Sequence, residues 1–159
     1  MNPITFPGLG LEFHINRVAF SVFGKPIYWY GIIIAVGFVL AVTYCYYNAA
    51  RYGIQKDRVI DLVLFAAPGG IIGARIYYVL FYQELYRNVD GSFNWKEAVA
   101  IWDGGLAIYG GVIAAVLILL IFCKVHKIKF AAFADLGSYG LFIGQSIGRW
   151  GNFVNREAF

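Results

Sequence analysis

From Pro26 to Ala50 the chain carries no charged side chain. That run exceeds the roughly 20 apolar residues a helix needs to cross hydrocarbon. Lipid offers no hydrogen bonds to the backbone, so a segment crossing it singly must be helical. Tyr28, Trp29 and Tyr30 at its start, and Tyr44, Tyr46 and Tyr47 toward its end, suit the aromatic belts at the two interfaces. A first transmembrane helix is expected over about 28–50.

Composition extends this to the whole chain. Hydrophobic residues make up 60%, charged ones 14%, and the mean hydropathy is +0.66. A soluble domain has about 45–50% and about 25%. The class is therefore all-α, a polytopic transmembrane helical bundle. The net charge of +4 does not point to nucleic acid, because the basic residues are scattered singly between apolar runs. Positive-inside topology explains them better. Residues 1–20 lack the cationic start and clean apolar core of a signal peptide, so no cleavage is expected. Cys45 and Cys123 have neither disulfide nor metal spacing and read as packing residues.

Two regions follow: an N-terminal external or interfacial segment over 1–27 and a transmembrane domain over 28–159. The first is rich in Pro and Gly, then alternates apolar and polar through Leu11, Glu12, Phe13 and His14. A second span is expected over 57–82, with Gly69 and Gly73 either permitting close helix contact or lining a cavity. Polar residues 83–103 form an external arm. The third span runs over 106–125. The fourth, over 130–148, carries a ridge of Gly140, Gly144 and Gly148 suited to tight packing. The loops after spans one and three hold Arg51, Lys56, Arg58, Lys124, Lys127 and Lys129, so the N-terminus is expected outside.

With that topology the polar residues that apolar packing cannot explain gather toward the outer leaflet: Tyr30, Arg75, Asp103, Tyr109, Arg149 and Asn152. An arginine at such a depth is costly and usually functional. Arg149 either snorkels to the headgroups or grips phosphate with its fork of donors, and its setting among glycines and amides favours phosphate. Arg75 has a choice between a lipid phosphate and a carboxylate. Asn152 and Asn155 either cap the fourth span or, for Asn152, donate to substrate oxygens. Glu157 is an ordinary surface acid, a group that orients Arg149, or a headgroup ligand. Tyr30 and Tyr109 stand out from belt or core tyrosines by position alone. Gly110 and Gly111 allow close approach of a helix or an acyl chain. No metal set, cofactor motif or Ser-His-Asp arrangement is visible.

The stretch Gly148-Arg149-Trp150-Gly151-Asn152-Phe153-Val154-Asn155-Arg156-Glu157 resembles the signature of the prolipoprotein diacylglyceryl transferase family. Tyr28-Trp29-Tyr30-Gly31, Gly73-Ala74-Arg75 with Tyr78-Val79, and Trp102-Asp103-Gly104-Gly105 through Tyr109-Gly110-Gly111 are similar to its earlier motifs. The resemblance implies a multi-pass enzyme of the bacterial cytoplasmic (inner) membrane, with its active site toward the outer leaflet. It would move diacylglyceryl from phosphatidylglycerol to the lipobox cysteine of prolipoproteins, forming a thioether, without cofactor or metal. Its partners would be those two substrates and the membrane lipids.

On that resemblance Arg149, Tyr109, Tyr30 and Asn152 are the catalytic residues. Arg149, Arg75, Asn152, Asn155, Glu157, Asp103, Gly110 and Gly111 bind phosphatidylglycerol, with Asp103 and Glu157 orienting the arginines. In many members the position of Tyr109 is a histidine proposed as a base. Tyrosine, with an unperturbed pKa of about 10, is a poor one, so arginine electrostatics would carry most of the catalysis. The resemblance also implies further helices, an external head segment and a second arginine beyond residue 159. The rival reading is a small anion or lipid transporter component, with Arg75 and Arg149 lining the path. A third is a scaffold held by its glycine ridges.

Overall fold

The computed structural model describes residues 4–6, 8, 10–13, 16–22, 24–88 and 90–156, and these are mostly helical. The chain divides into two compact units, one of Met1–Asn48 with Asp135–Phe159 and one of Ala49–Ala134.

The first unit opens on two β-hairpins, which corrects the all-α expectation for the N-terminal segment. Strands β1 (Ile4–Phe6) and β2 (Leu11–Phe13) pair antiparallel, Thr5 opposite Glu12. Strands β3 (Val18–Val22) and β4 (Lys25–Tyr28) do the same, with a register shift between Val18 and Phe20. Alternation of apolar and polar residues is the period of a strand. Gly24, at φ 77, supplies the left-handed residue between β3 and β4. Helix α1 (Trp29–Asn48) leaves β4 directly, and the Trp29 N–H donates to the Arg17 carbonyl at 3.1 Å, satisfying one donor at the helix start.

Antiparallel to α1 runs helix α5 (Phe130–Asn155), whose residues from Asp135 onward belong to this unit. The glycine ridge makes the contact. A side chain on Gly140 would come 2.8 Å from Cys45 Sγ, one on Gly148 3.5 Å from Ile34, and one on Gly151 3.2 Å from the Tyr30 ring. Gly37 of α1 takes Ile147 in return. The helix that begins at Phe130 does not stop at 148, where the fourth span is expected to end, but continues through the signature to Asn155. Residues 149–155 contain no proline, and the bare face of Gly151 is buried.

The second unit is built on α2 (Lys56–Phe81) and α4 (Ile108–His126). Here the glycines of both helices serve close helix contact. A side chain on Gly73 would collide with Ala114 and come 2.9 Å from the Gly110 carbonyl, while one on Gly110 would meet Tyr77 and the Gly73 carbonyl. The α2 helix runs through Pro68, which leaves the Leu64 carbonyl without its usual donor, as membrane helices tolerate. Between the two helices the arm contains 3-10 turns at Gln83–Tyr86 and Ile101–Asp103 and the short helix α3 (Trp95–Val99). Asn94 and Glu97 cap α3 reciprocally, Asn94 Oδ1 accepting from the Glu97 N–H at 3.3 Å and Asn94 Nδ2 donating to Glu97 at 2.9 Å.

Among the described residues three helices are long and apolar enough to cross a membrane: α1 with its 3-10 extension to Tyr52, α2 and α4. Helix α5 is as long as α2, but Asp135, Ser138, Gln145, Arg149 and Asn152 dilute its apolar run.

Candidate functional site

In the first unit α1 and α5 open into a groove of about 440 Å³ lined by Tyr30, Ile34, Gly144, Gln145, Gly148, Arg149 and Asn152. Its polar side comes from a single face of α5, because positions 145, 149 and 152 follow the spacing of residues that share a helix face. Its floor is open at Gly144, where an added Cβ would meet nothing within 4 Å. The exposed Arg149 side chain makes no hydrogen bond or ion pair with any described residue, and neither do the side chains of Tyr30, Gln145 and Asn152. Four groups rich in donors thus face one space with their hydrogen-bonding capacity unspent, which suits an oxyanion better than an apolar guest.

Of these, Tyr30, Arg149 and Asn152 are expected from the sequence, and the fold brings all three together. Gln145 is the residue that sequence reasoning missed. The signal was its place one helical turn before Arg149. Asn155 ends α5, half-buried, and Glu157 lies outside the described residues.

The second unit treats its arginine differently. Arg75 is only 6% exposed. Its Nε donates to the Ala98 carbonyl at 2.9 Å, Nη2 to Glu97 at 2.7 Å, and Nη1 to Gly104 at 2.5 Å and Gly105 at 2.9 Å. The guanidinium carbon sits 5.3 Å from the centroid of the Tyr86 ring, a cation–π contact. Within the chain its partners are therefore neither a carboxylate nor any group a phosphate would replace without loss. Asp103 closes the 3-10 turn just before these glycines. Tyr109, in the first turn of α4, is 75% exposed. Gly110 and Gly111 lie in the seam with α2, so a helix and not an acyl chain occupies the space they leave.

Comparison with known proteins adds the family. The profile described as prolipoprotein diacylglyceryl transferase matches residues 17–159. A phosphatidylglycerol–prolipoprotein diacylglyceryl transferase of Oceanobacillus iheyensis is 49% identical over 144 residues, covering 91% of this chain and 49% of that protein. The like-named protein of Finegoldia magna is 43% identical, covering 91% and 56%, and transferase 1 of Clostridium perfringens 46%, covering 91% and 53%. The chain spans about half the length of the curated relatives it matches. The match takes in β3, β4, every helix and the groove on α5, and the chain belongs to the prolipoprotein diacylglyceryl transferase family.

Proposed function

We infer that this chain supplies the lipid-phosphate site of an enzyme that transfers diacylglyceryl from phosphatidylglycerol to the lipobox cysteine thiol of a prolipoprotein. The observation that carries this is the α5 groove, in which Arg149, Asn152, Gln145 and Tyr30 converge with no described partner. In the reaction the thiol sulfur bonds to the glyceryl carbon as that carbon's bond to the phosphate oxygen breaks. The electron pair departs with glycerol phosphate, and the thiol proton goes to a base or to water. Negative charge therefore grows on the phosphate in the transition state, where a preorganised guanidinium stabilises it most. A thiol of ordinary pKa, about 8.5, is already partly ionised and very nucleophilic, so the phosphate end of the reaction has the greater need.

Arg149 is the phosphate ligand and Asn152 a donor beside it. Tyr30, packed on Gly151, closes the groove on the α1 side. Tyr109 is read as positioning substrate through its hydroxyl, and Asn155, Glu157 and Asp103 as further residues that bind phosphatidylglycerol. The α5 helix is read as a fourth span, its polar face turned from lipid toward the substrate. The N-terminal hairpins and the 83–103 arm then lie outside a bacterial inner membrane, with the groove at the outer leaflet.

The test is transfer of labelled lipid to a lipobox peptide by the full-length protein with Arg149→Ala, folding checked by thermal unfolding. Loss of transfer with unfolding unchanged is expected. Near-normal transfer would remove Arg149 and the groove from the mechanism.

A further inference from the structure

We propose that Arg75 is a positioning residue for this reaction, a clamp that ties the chain entering α4 onto α2, and not a ligand of lipid phosphate. The inference rests on the transfer reading given above, but it comes from a different observation. A guanidinium has five N–H donors, and four of those of Arg75 are already directed at main-chain carbonyls. To hold a phosphate in its fork Arg75 would have to release at least one of them, and a carbonyl deprived of its partner opposes the exchange.

The four carbonyls come from two places. Glu97 and Ala98 belong to α3, while Gly104 and Gly105 form the turn that precedes α4. Both glycines have positive φ, 87 and 72. A side chain on Gly105 would come 2.6 Å from Arg75 Nη1 and 2.8 Å from the Tyr78 ring, so arginine and glycine fit only as a pair. One step further on, the Ala107 N–H donates to the Ala74 carbonyl at 3.1 Å, and α4 starts at Ile108. Residues 97–107 are thereby fastened to two adjacent residues of α2, and the entry point of Tyr109 is set by that fastening. Lysine cannot substitute, because a single ammonium is not a planar fork that reaches carbonyls on two segments.

The experiment uses the full-length protein in lipid nanodiscs, with Arg75→Lys, Arg75→Gln, Gly105→Ala and the double variant Arg75→Gln/Gly105→Ala. As a clamp, Arg75→Lys is as impaired as Arg75→Gln. Amide exchange across 97–107 speeds up at least about tenfold in both, while exchange in α5 is unchanged. The rate constant kcat falls by about tenfold or more, with KM for phosphatidylglycerol within about threefold of wild type. Arg75→Gln/Gly105→Ala is little worse than Gly105→Ala alone, because both changes break one contact. Rescue by lysine, or a rise in KM with exchange across 97–107 unaltered, would make Arg75 a phosphate ligand and overturn the proposal.

A measurement on the wild type covers the case of variants that do not fold. Adding phosphatidylglycerol to lipid-depleted protein leaves exchange across 97–105 within about twofold if the clamp is permanent. Faster exchange on adding lipid would show carbonyls being given up to phosphate, and would overturn it too. Exchange does not depend on turnover, so inactivity of the Arg149 variant and failure of the clamp are read separately.

Discussion

Each of the two units pairs antiparallel helices through glycines, yet Arg75 in one and Arg149 in the other are in opposite chemical states. Arg75 is buried with four donors spent on carbonyls, whereas Arg149 is exposed on a groove with none committed to a described residue. The glycines differ in the same sense. Those of α2 and α4 are filled by the neighbouring helix, while Gly144 of α5 faces empty space. Saturated hydrogen bonds and filled contacts belong to a region that holds its shape. Unsaturated donors over a vacant floor belong to a region awaiting a ligand.

The largest effect that tests this contrast is on Arg149. Loss of a group that stabilises transition-state charge costs about 10²- to 10³-fold in rate, so Arg149→Ala should lose at least that in the lipid-transfer assay. Arg149→Lys should recover part of it, since a phosphate accepts a point charge, though less directionally. If lysine recovers as little at Arg149 as it should at Arg75, the contrast between the two arginines fails.

Next come the glycines. A methyl at Gly73 would have to displace Ala114 or the Gly110 backbone, so Gly73→Ala should destabilise by about 1–3 kcal/mol through overpacking. At Gly144 the methyl meets nothing, and replacing a helical glycine by alanine is worth up to about 1 kcal/mol in the other direction. Gly144→Ala should therefore unfold no earlier than wild type and still transfer lipid more slowly, by about tenfold or more, because the groove floor has risen. Thermal unfolding and initial rates on the same samples separate the two. A stable, fully active Gly144→Ala would mean that the vacancy holds no substrate.

Tyr109 gives a smaller effect. As a hydrogen-bonding side chain at the exposed start of α4, its replacement in Tyr109→Phe should cost less than about tenfold in rate, well below Arg149→Ala. A general base would be worth about 10²- to 10⁴-fold. Losses of that size would move proton transfer onto the tyrosine hydroxyl.

Much of this was legible from the sequence because membrane helices announce themselves by length and by lack of charge. The expected first three spans match α1, α2 and α4 to within a few residues, and Gly69, Gly73, Gly140 and Gly148 lie on contacting faces, while Gly144 of the same ridge does not. The alternation through Leu11, Glu12, Phe13 and His14 was legible, but the hairpins were not, because strands as short as β1 and β2 carry no mark of the partner they pair with. The continuation of α5 was hidden because glycine and asparagine read as a helix end, while Gly151 is in fact a contact with Tyr30. The partners of Arg75 could not be read at all. Carbonyls are present at every residue, and only the fold decides which four converge. Tyr30, Arg149 and Asn152 were legible as odd polar residues at matching depth, whereas Gln145 was passed over for want of a charge.

The smallest expected effect is one of pH, and it belongs to the saturated region. In the arm, Ser92 donates to Asp90 Oδ1 through its N–H at 2.9 Å and its hydroxyl at 2.6 Å, and those bonds hold the Asp90 carboxyl below its ordinary value. A carboxyl lowered on folding contributes stability that is complete above its unfolded pKa, about 3.9, and is lost as pH falls through the lower folded value. The turn from Asn88 to Ser92 should therefore loosen only in strong acid, seen as faster exchange of the Gly91 and Ser92 amides. The α5 groove, which has no such carboxylate among its described lining residues, should show no matching change. Loosening of this turn between pH 5 and 7 would mean that Asp90 is not held by Ser92, and both bonds between them would have to be withdrawn.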